Sequence, residues 1–226
     1  MLHLVLAEAA LETIPMSLWK HPLIRKYAKK RGKGPGALLL DLSFHYSAAK
    51  KLKDIEKRGR PDIVHLALLE ALGSPLNKVG LLKVYVHTYA NYLIYIRPDV
   101  RLPRNYLRFV GLMEQLLEVG KVPPDSDNPL LIAKKGDLSD LIGEIAPTKV
   151  ILMTEEGEKM KLMELGKLLL SMPKPLVIIG AFQRGDFKKE TKALSDLKIS
   201  IFDESLDAWT VVSRVITAYE IAKGIV

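Results

Sequence analysis

Two short, wholly apolar runs constrain this chain most: Val150-Ile151-Leu152-Met153 and Leu176-Val177-Ile178-Ile179, set apart by an amphipathic stretch from Lys161 to Ser171. A strand with no polar side has both faces covered, and sheets of such strands are parallel ones whose crossovers are helices. The alternation runs through the whole second half. It reads as strand Leu130 to Ala133, helix Leu138 to Ile145, strand Lys149 to Met153, helix Lys161 to Ser171, strands Leu176 to Ile179 and Ile199 to Phe202, and helix Ala208 to Ala222. This spacing predicts an α/β fold, a mostly parallel sheet flanked by helices.

The first half is less regular. Leu2 to Ala7 reads as a strand, Trp19 to Gly36 as a basic loop, and Ala37 to Leu42 as a β-like run. Helices are expected over Tyr46 to Ile55 and over Pro61 to Leu72, the second with proline in its first turn. Leu81 to His87 and Tyr92 to Arg97 have the content of a strand pair. Asn105 to Val119 has helical spacing, and Pro123 to Asp127 is the loop between the two sub-regions.

Charge divides the chain in the same place. Residues 1–110 carry 19 Lys and Arg against 8 Asp and Glu, whereas residues 111–226 carry 15 against 18, so the whole excess of +8 belongs to the first half. Such an excess points to a polyanionic partner. With no cysteine, a disulfide framework, a thiolate metal site and a Cys nucleophile are excluded. The five histidines have no metal-ligand spacing, and neither a phosphate-loop nor a dinucleotide fingerprint occurs. No run of eighteen apolar residues and no signal peptide is present, so the cytoplasm is the expected compartment and no membrane partner is expected.

Ligands of open parallel sheets lie beyond the carboxyl ends of the strands. Ile178 to Phe187 is such a turn, where Gly180 and Gly185 either let the backbone approach a ligand or serve as ordinary turn residues. Arg97 to Arg108 holds four arginines and one acid. If Pro103 marks a helix start, Arg104 and Arg108 share a face with Arg101 just before them. Cations there oppose the helix dipole, so an incoming phosphate explains them better than local stability does. The alternative is solvated arginines paired with Asp99 and Glu114. In Arg60-Pro61-Asp62, the acid either stabilises a helix N-terminus or holds the Arg60 guanidinium as a rigid fork.

Arg60-Pro61-Asp62, the stretch Arg97 to Leu112, Ile179-Gly180-Ala181-Phe182 with Gly185-Asp186-Phe187, and Ile199 to Arg214 resemble, in order along essentially the whole chain, the archaeal and eukaryotic ribosome-biogenesis pseudouridine N1-methyltransferases of the SPOUT class. The resemblance implies one SPOUT domain over 1–226, with a basic RNA-binding strand and helix extension within 15–110. The cofactor-binding part, 128–226, would be threaded into a deep trefoil knot, which general topology rules would reject. It also implies S-adenosyl-L-methionine held by Met153, Thr154, Gly180, Gly185, Asp186, Phe187, Ile199, Ser200, Ile201, Phe202 and Leu206, and no metal. Arg60, Arg101, Arg104 and Arg108 would bind small-subunit rRNA, with Asp62 steadying Arg60. The implied reaction methylates N1 of a pseudouridine, Arg60 and Asp62 being the candidate catalytic groups, in a homodimer that also meets ribosomal or assembly proteins. The alternative is a mainly non-catalytic rRNA-binding assembly factor.

Overall fold

In the computed structural model, which describes residues 1–226, eight strands build one sheet. They are β1 (Leu2–Ala9), β2 (Leu82–Thr88), β3 (Tyr92–Ile96), β4 (Lys121–Val122), β5 (Leu131–Lys135), β6 (Lys149–Lys159), β7 (Pro175–Gly180) and β8 (Leu197–Ser200). Their order is β4-β5-β3-β2-β1-β7-β6-β8. The stretch from β2 to β8 is parallel throughout, and β3, β5 and β4 add antiparallel at one edge. The helices are α1 (Pro22–Arg31), α2 (Leu42–Ala49), α3 (Pro61–Gly73), α4 (Pro75–Lys78), α5 (Tyr106–Val119), α6 (Leu138–Ile145), α7 (Leu162–Ser171), α8 (Lys189–Ala193) and α9 (Ala208–Lys223).

The apolar runs of β6 and β7 are buried, as their lack of a polar side requires. One face of the sheet, with Leu2, Leu4 and Leu6 of β1, packs on α3, α5, α7 and α9. The other, with Val5 and Ala7, packs on Leu138, Leu141 and Ile145 of α6. Residues 14–49 close a small core of their own around Ile14, Ile24, Leu38 and Ala49. Register aligns Ala7 with Gly180 and Leu152 with Ile178, so β1, β7 and the part of β6 paired with β7 end at one edge.

Several expected elements are corrected. The basic stretch from Trp19 to Gly36 holds a helix, α1, rather than a loop throughout. Pro22 opens it, the His21 ring accepts from the Leu23 N–H at 3.2 Å, and Gly32 closes it at φ 64°. Only Ile24 and Ala28 of α1 are buried, too thin a stripe to show as periodicity. Leu39 forms a lone bridge to Thr13 where a β-like run was expected. Helix α2 starts at Leu42 and ends at Ala49, not over 46–55, because Asp41 accepts from the Ser43 N–H at 2.8 Å and caps it. Helix α5 begins at Tyr106, where the Asn105 side chain accepts from the Arg108 N–H at 3.1 Å. Arg101 and Arg104 therefore precede the helix, with only Arg108 in its first turn. Strand β6 runs on to Lys159, and β8 stops at Ser200.

One residue at the edge of the parallel sheet is held against its own preference. Glu8 has φ 49°, a left-handed conformation that costs a non-glycine residue roughly 1–3 kcal/mol. It is fully buried, and its carboxylate accepts from the Lys57 ammonium at 2.7 Å and from the Lys188 N–H at 2.8 Å. One side chain thus ties the segment before α3 to the segment after β7. Glu8→Gln leaves Lys57 buried without its counter-charge, and urea denaturation is expected to show a loss of about 3 kcal/mol or more. The double variant Glu8→Gly, Lys57→Leu, which removes both charges and the strain, is expected to recover most of it.

Helix spacing rests on a small residue. A Cβ at Gly166 of α7 would run into the Ala218 carbonyl of α9, whereas one at Gly143 of α6 meets nothing within 4 Å. Thermal melts are expected to show Gly166→Ala destabilised by about 1–3 kcal/mol through overpacking. Gly143→Ala is expected to gain up to about 1 kcal/mol, because alanine suits a helix interior better than glycine.

Candidate functional site

A cavity of about 720 Å³ opens at the edge where the parallel strands end. All eleven residues expected to hold a cofactor line it: Met153 and Thr154 from β6, Gly180 at the end of β7, Gly185, Asp186 and Phe187 from the following turn, and Ile199, Ser200, Ile201, Phe202 and Leu206 from β8 and its exit. Arg60 and Ile63 join them from the start of α3.

The turn after β7 is shaped by close approach. A Cβ on Gly180 would lie 2.9 Å from Phe182 and 3.0 Å from Phe187, whose rings stand edge to face at 5.4 Å. Gly185 sits at φ 94°, which only glycine adopts without strain. Asp186 accepts from the Phe187 N–H at 2.7 Å and pairs with Lys192, which also reaches Glu156 at 2.6 Å. From behind, the Lys57 ammonium lies 4.7 Å from the centre of the Phe182 ring. On the opposite wall, Ser200 donates to the Phe202 carbonyl at 2.7 Å, while Ser205 bonds Glu155.

The lining is acidic. Glu155, Glu156, Asp186, Glu204 and Asp207 face the cavity, against Arg60 and Arg184 as the cationic residues. Of these, Glu155, Glu156 and Asp207 are not singled out by the sequence, whereas Phe182, Gln183 and Arg184 lie in the turn from Ile178 to Phe187 and Glu204 and Ser205 lie between Phe202 and Leu206. The available signal is position: Glu155 and Glu156 follow the apolar run that opens β6, and the others follow β7 and β8. A glycine-shaped cleft with an acidic wall fits a nucleoside carrying a cationic sulfonium, so the residues present suit S-adenosylmethionine.

Arg60 is presented rigidly at this cavity. Its Nε and Nη2 donate to the two Asp62 carboxylate oxygens at 2.8 and 2.7 Å. This is the fork geometry rather than a free helix-capping acid, and that bond is the main reason the guanidinium pKa lies above its ordinary value. Arg101, Arg104 and Arg108 lie outside the cavity and exposed. The acids expected as their bland partners are engaged elsewhere: Asp99 holds Arg97 at 2.9 and 2.7 Å, and buried Glu114 holds Arg31 at 3.0 Å and Lys33 at 2.9 Å. Between Arg104 and Arg108, Tyr106 donates to Asp41 at 2.5 Å, with burial the main cause that raises its pKa.

The EMG1/NEP1 methyltransferase family matches residues 4–220. The ribosomal RNA small subunit methyltransferase Nep1 of Staphylothermus marinus is 52% identical over 96% of this chain and 94% of its own length. That of Pyrococcus furiosus is 49% identical over 97% and 96%. Among solved structures, Archaeoglobus fulgidus Nep1 bound to S-adenosylhomocysteine superposes with a TM-score of 0.86 at 40% identity, covering 98% of both chains. The chain belongs to the EMG1/NEP1 methyltransferase family.

Proposed function

We propose that this protein transfers a methyl group from S-adenosylmethionine to N1 of a pseudouridine in small-subunit rRNA. The observation that carries this reading is Arg60, fixed by Asp62, on the wall of the cavity that the glycine turn and the β8 exit complete. The names of the relatives support the RNA class, and the S-adenosylhomocysteine bound to the Archaeoglobus protein supports the cofactor. We assign the cofactor to the eleven lining residues and RNA phosphates to Arg101, Arg104 and Arg108. A homodimer, the knotted threading of the SPOUT class and a cytoplasmic setting belong to the same proposal. No helix is long and apolar enough to cross a membrane.

The cofactor supplies an electrophilic methyl on a sulfonium. The chain supplies placement and charge. The acidic wall favours the cationic end of the cofactor, and the Phe182 and Phe187 rings exclude water from one side. Pseudouridine is joined to ribose through carbon, so its N1 carries a proton that must leave as the methyl arrives, and negative charge develops on the ring. Arg60 meets that charge with a preorganised cation, the kind of contribution that dominates many enzymes. Asp62 acts as its positioning residue, because a carboxylate with both oxygens on one guanidinium is a poor base. The target base is reached by extrusion from a loop, since bases inside an A-form helix are inaccessible to side chains.

Single-turnover methylation of a small-subunit rRNA fragment tests the role of Arg60. Arg60→Ala is expected to slow the methyl-transfer step about a hundred-fold or more, with S-adenosylhomocysteine affinity by calorimetry retained. An unchanged rate would exclude Arg60 from the chemistry.

A further inference from the structure

The basic extension carries a feature that phosphate contacts do not use. Phe44 of α2 is 48% exposed, and its covered face rests on Tyr27 of α1, with ring centroids 5.9 Å apart and planes 27° from parallel. Tyr27 is itself fixed, edge-on to His45 at 4.5 Å and accepting from Arg31 at 3.0 Å. Arg31 in turn binds Glu114 of α5. The pair is therefore a rigid aromatic step with one open face.

Its position is informative. Phe44 lies in the first turn after Asp41, the residue that holds Tyr106 between Arg104 and Arg108. Lys26, Lys29 and Lys30 of α1 and Lys50 and Lys51 just after α2 are exposed and pair with no acid. A single exposed phenylalanine needs no explanation. A braced aromatic pair among unpaired cations, beside the arginines assigned to RNA, has the composition of a single-strand binding surface, where bases stack on aromatic faces and cations follow the backbone.

We infer that Phe44, backed by Tyr27, is a stacking platform for an unpaired base of the RNA that flanks the modified one. This rests on the proposed rRNA substrate and adds a readout of single-strandedness to it. An apolar protein segment would suit the same phenyl ring, but the surrounding uncompensated positive charge favours a polyanion.

Fluorescence anisotropy with a labelled small-subunit rRNA hairpin, and with the same strand annealed to its complement, tests the inference. Phe44→Ala and Phe44→Leu are expected to weaken hairpin binding between about 5- and 100-fold, whereas Phe44→Trp retains it. Duplex binding is expected to be unaffected. The slope of log K against log salt is expected to stay at its wild-type value in Phe44→Ala, because no phosphate contact is lost, but to flatten by about 1 in Arg108→Ala. Phe44→Ala binding the hairpin like wild type, Phe44→Leu matching Phe44→Trp, or equal losses on hairpin and duplex would each overturn the platform. If Phe44→Ala does not fold, the comparison of the leucine and tryptophan variants decides alone. Failure of the wild-type protein to bind the hairpin would instead overturn the rRNA reading itself.

Discussion

The buried Glu8 carboxylate is the joint on which the site depends. One of its oxygens takes the Lys57 ammonium, three residues before Arg60, and the other takes the Lys188 N–H, one residue after Phe187. The segment leading to Arg60 and the turn that lines the cavity after β7 are thereby located by a single side chain. Two costs accompany this: a left-handed backbone at a residue with a Cβ, and a desolvated ion pair. Such costs persist where surrounding packing over-determines the geometry, and strain of this kind concentrates at functional sites.

The same device recurs through the basic half. Glu12, nearly buried, holds Arg58 by two hydrogen bonds of 2.6 and 2.7 Å, and Glu114, buried in α5, holds Arg31 and Lys33. These acids spend themselves on cations that fasten the extension to the sheet. Arg101, Arg104 and Arg108, with Lys26, Lys29 and Lys30 of α1 and Lys50 and Lys51 just after α2, are exposed and pair with no acid. The net charge of the first half is thus not spread evenly. Arg31, Lys33, Lys57 and Arg58 are matched by buried acids, while the surface assigned to RNA is built from unmatched cations. The cavity lining carries more acids than cations, so the proposed cationic cofactor and anionic substrate would meet differently charged surfaces.

The parallel half was readable because burial on both faces leaves an unbroken apolar run, and α6 lies over 138–145, as its spacing alone indicates. The eleven positions expected to hold a cofactor meet in one cavity for the related reason that parallel strands end together. Helix α1 was not readable: two buried residues in ten make no visible stripe, and its cap is a histidine ring. Helix α5 lies where its spacing places it, opening at Tyr106 behind the Asn105 cap, and Pro103 does not start it, its carbonyl being bound to His65 at 2.7 Å outside the helix. The link from Glu8 to Lys57 and Lys188 spans 49 and 180 residues of sequence, and nothing local marks it. Residues such as Glu155 and Asp207 reach the cavity through folding that composition does not encode.

The central claim is that the cavity and Arg60 serve one reaction on one kind of base. Mass spectrometry of nuclease-digested RNA tests it most directly, after incubation of the protein with methyl-labelled S-adenosylmethionine and two small-subunit rRNA fragments differing only by pseudouridine or uridine at a loop position. The account expects the label on N1 of pseudouridine and none on the uridine fragment. Label on uridine, on a ribose hydroxyl, or only on tRNA offered in the same mixture would contradict it.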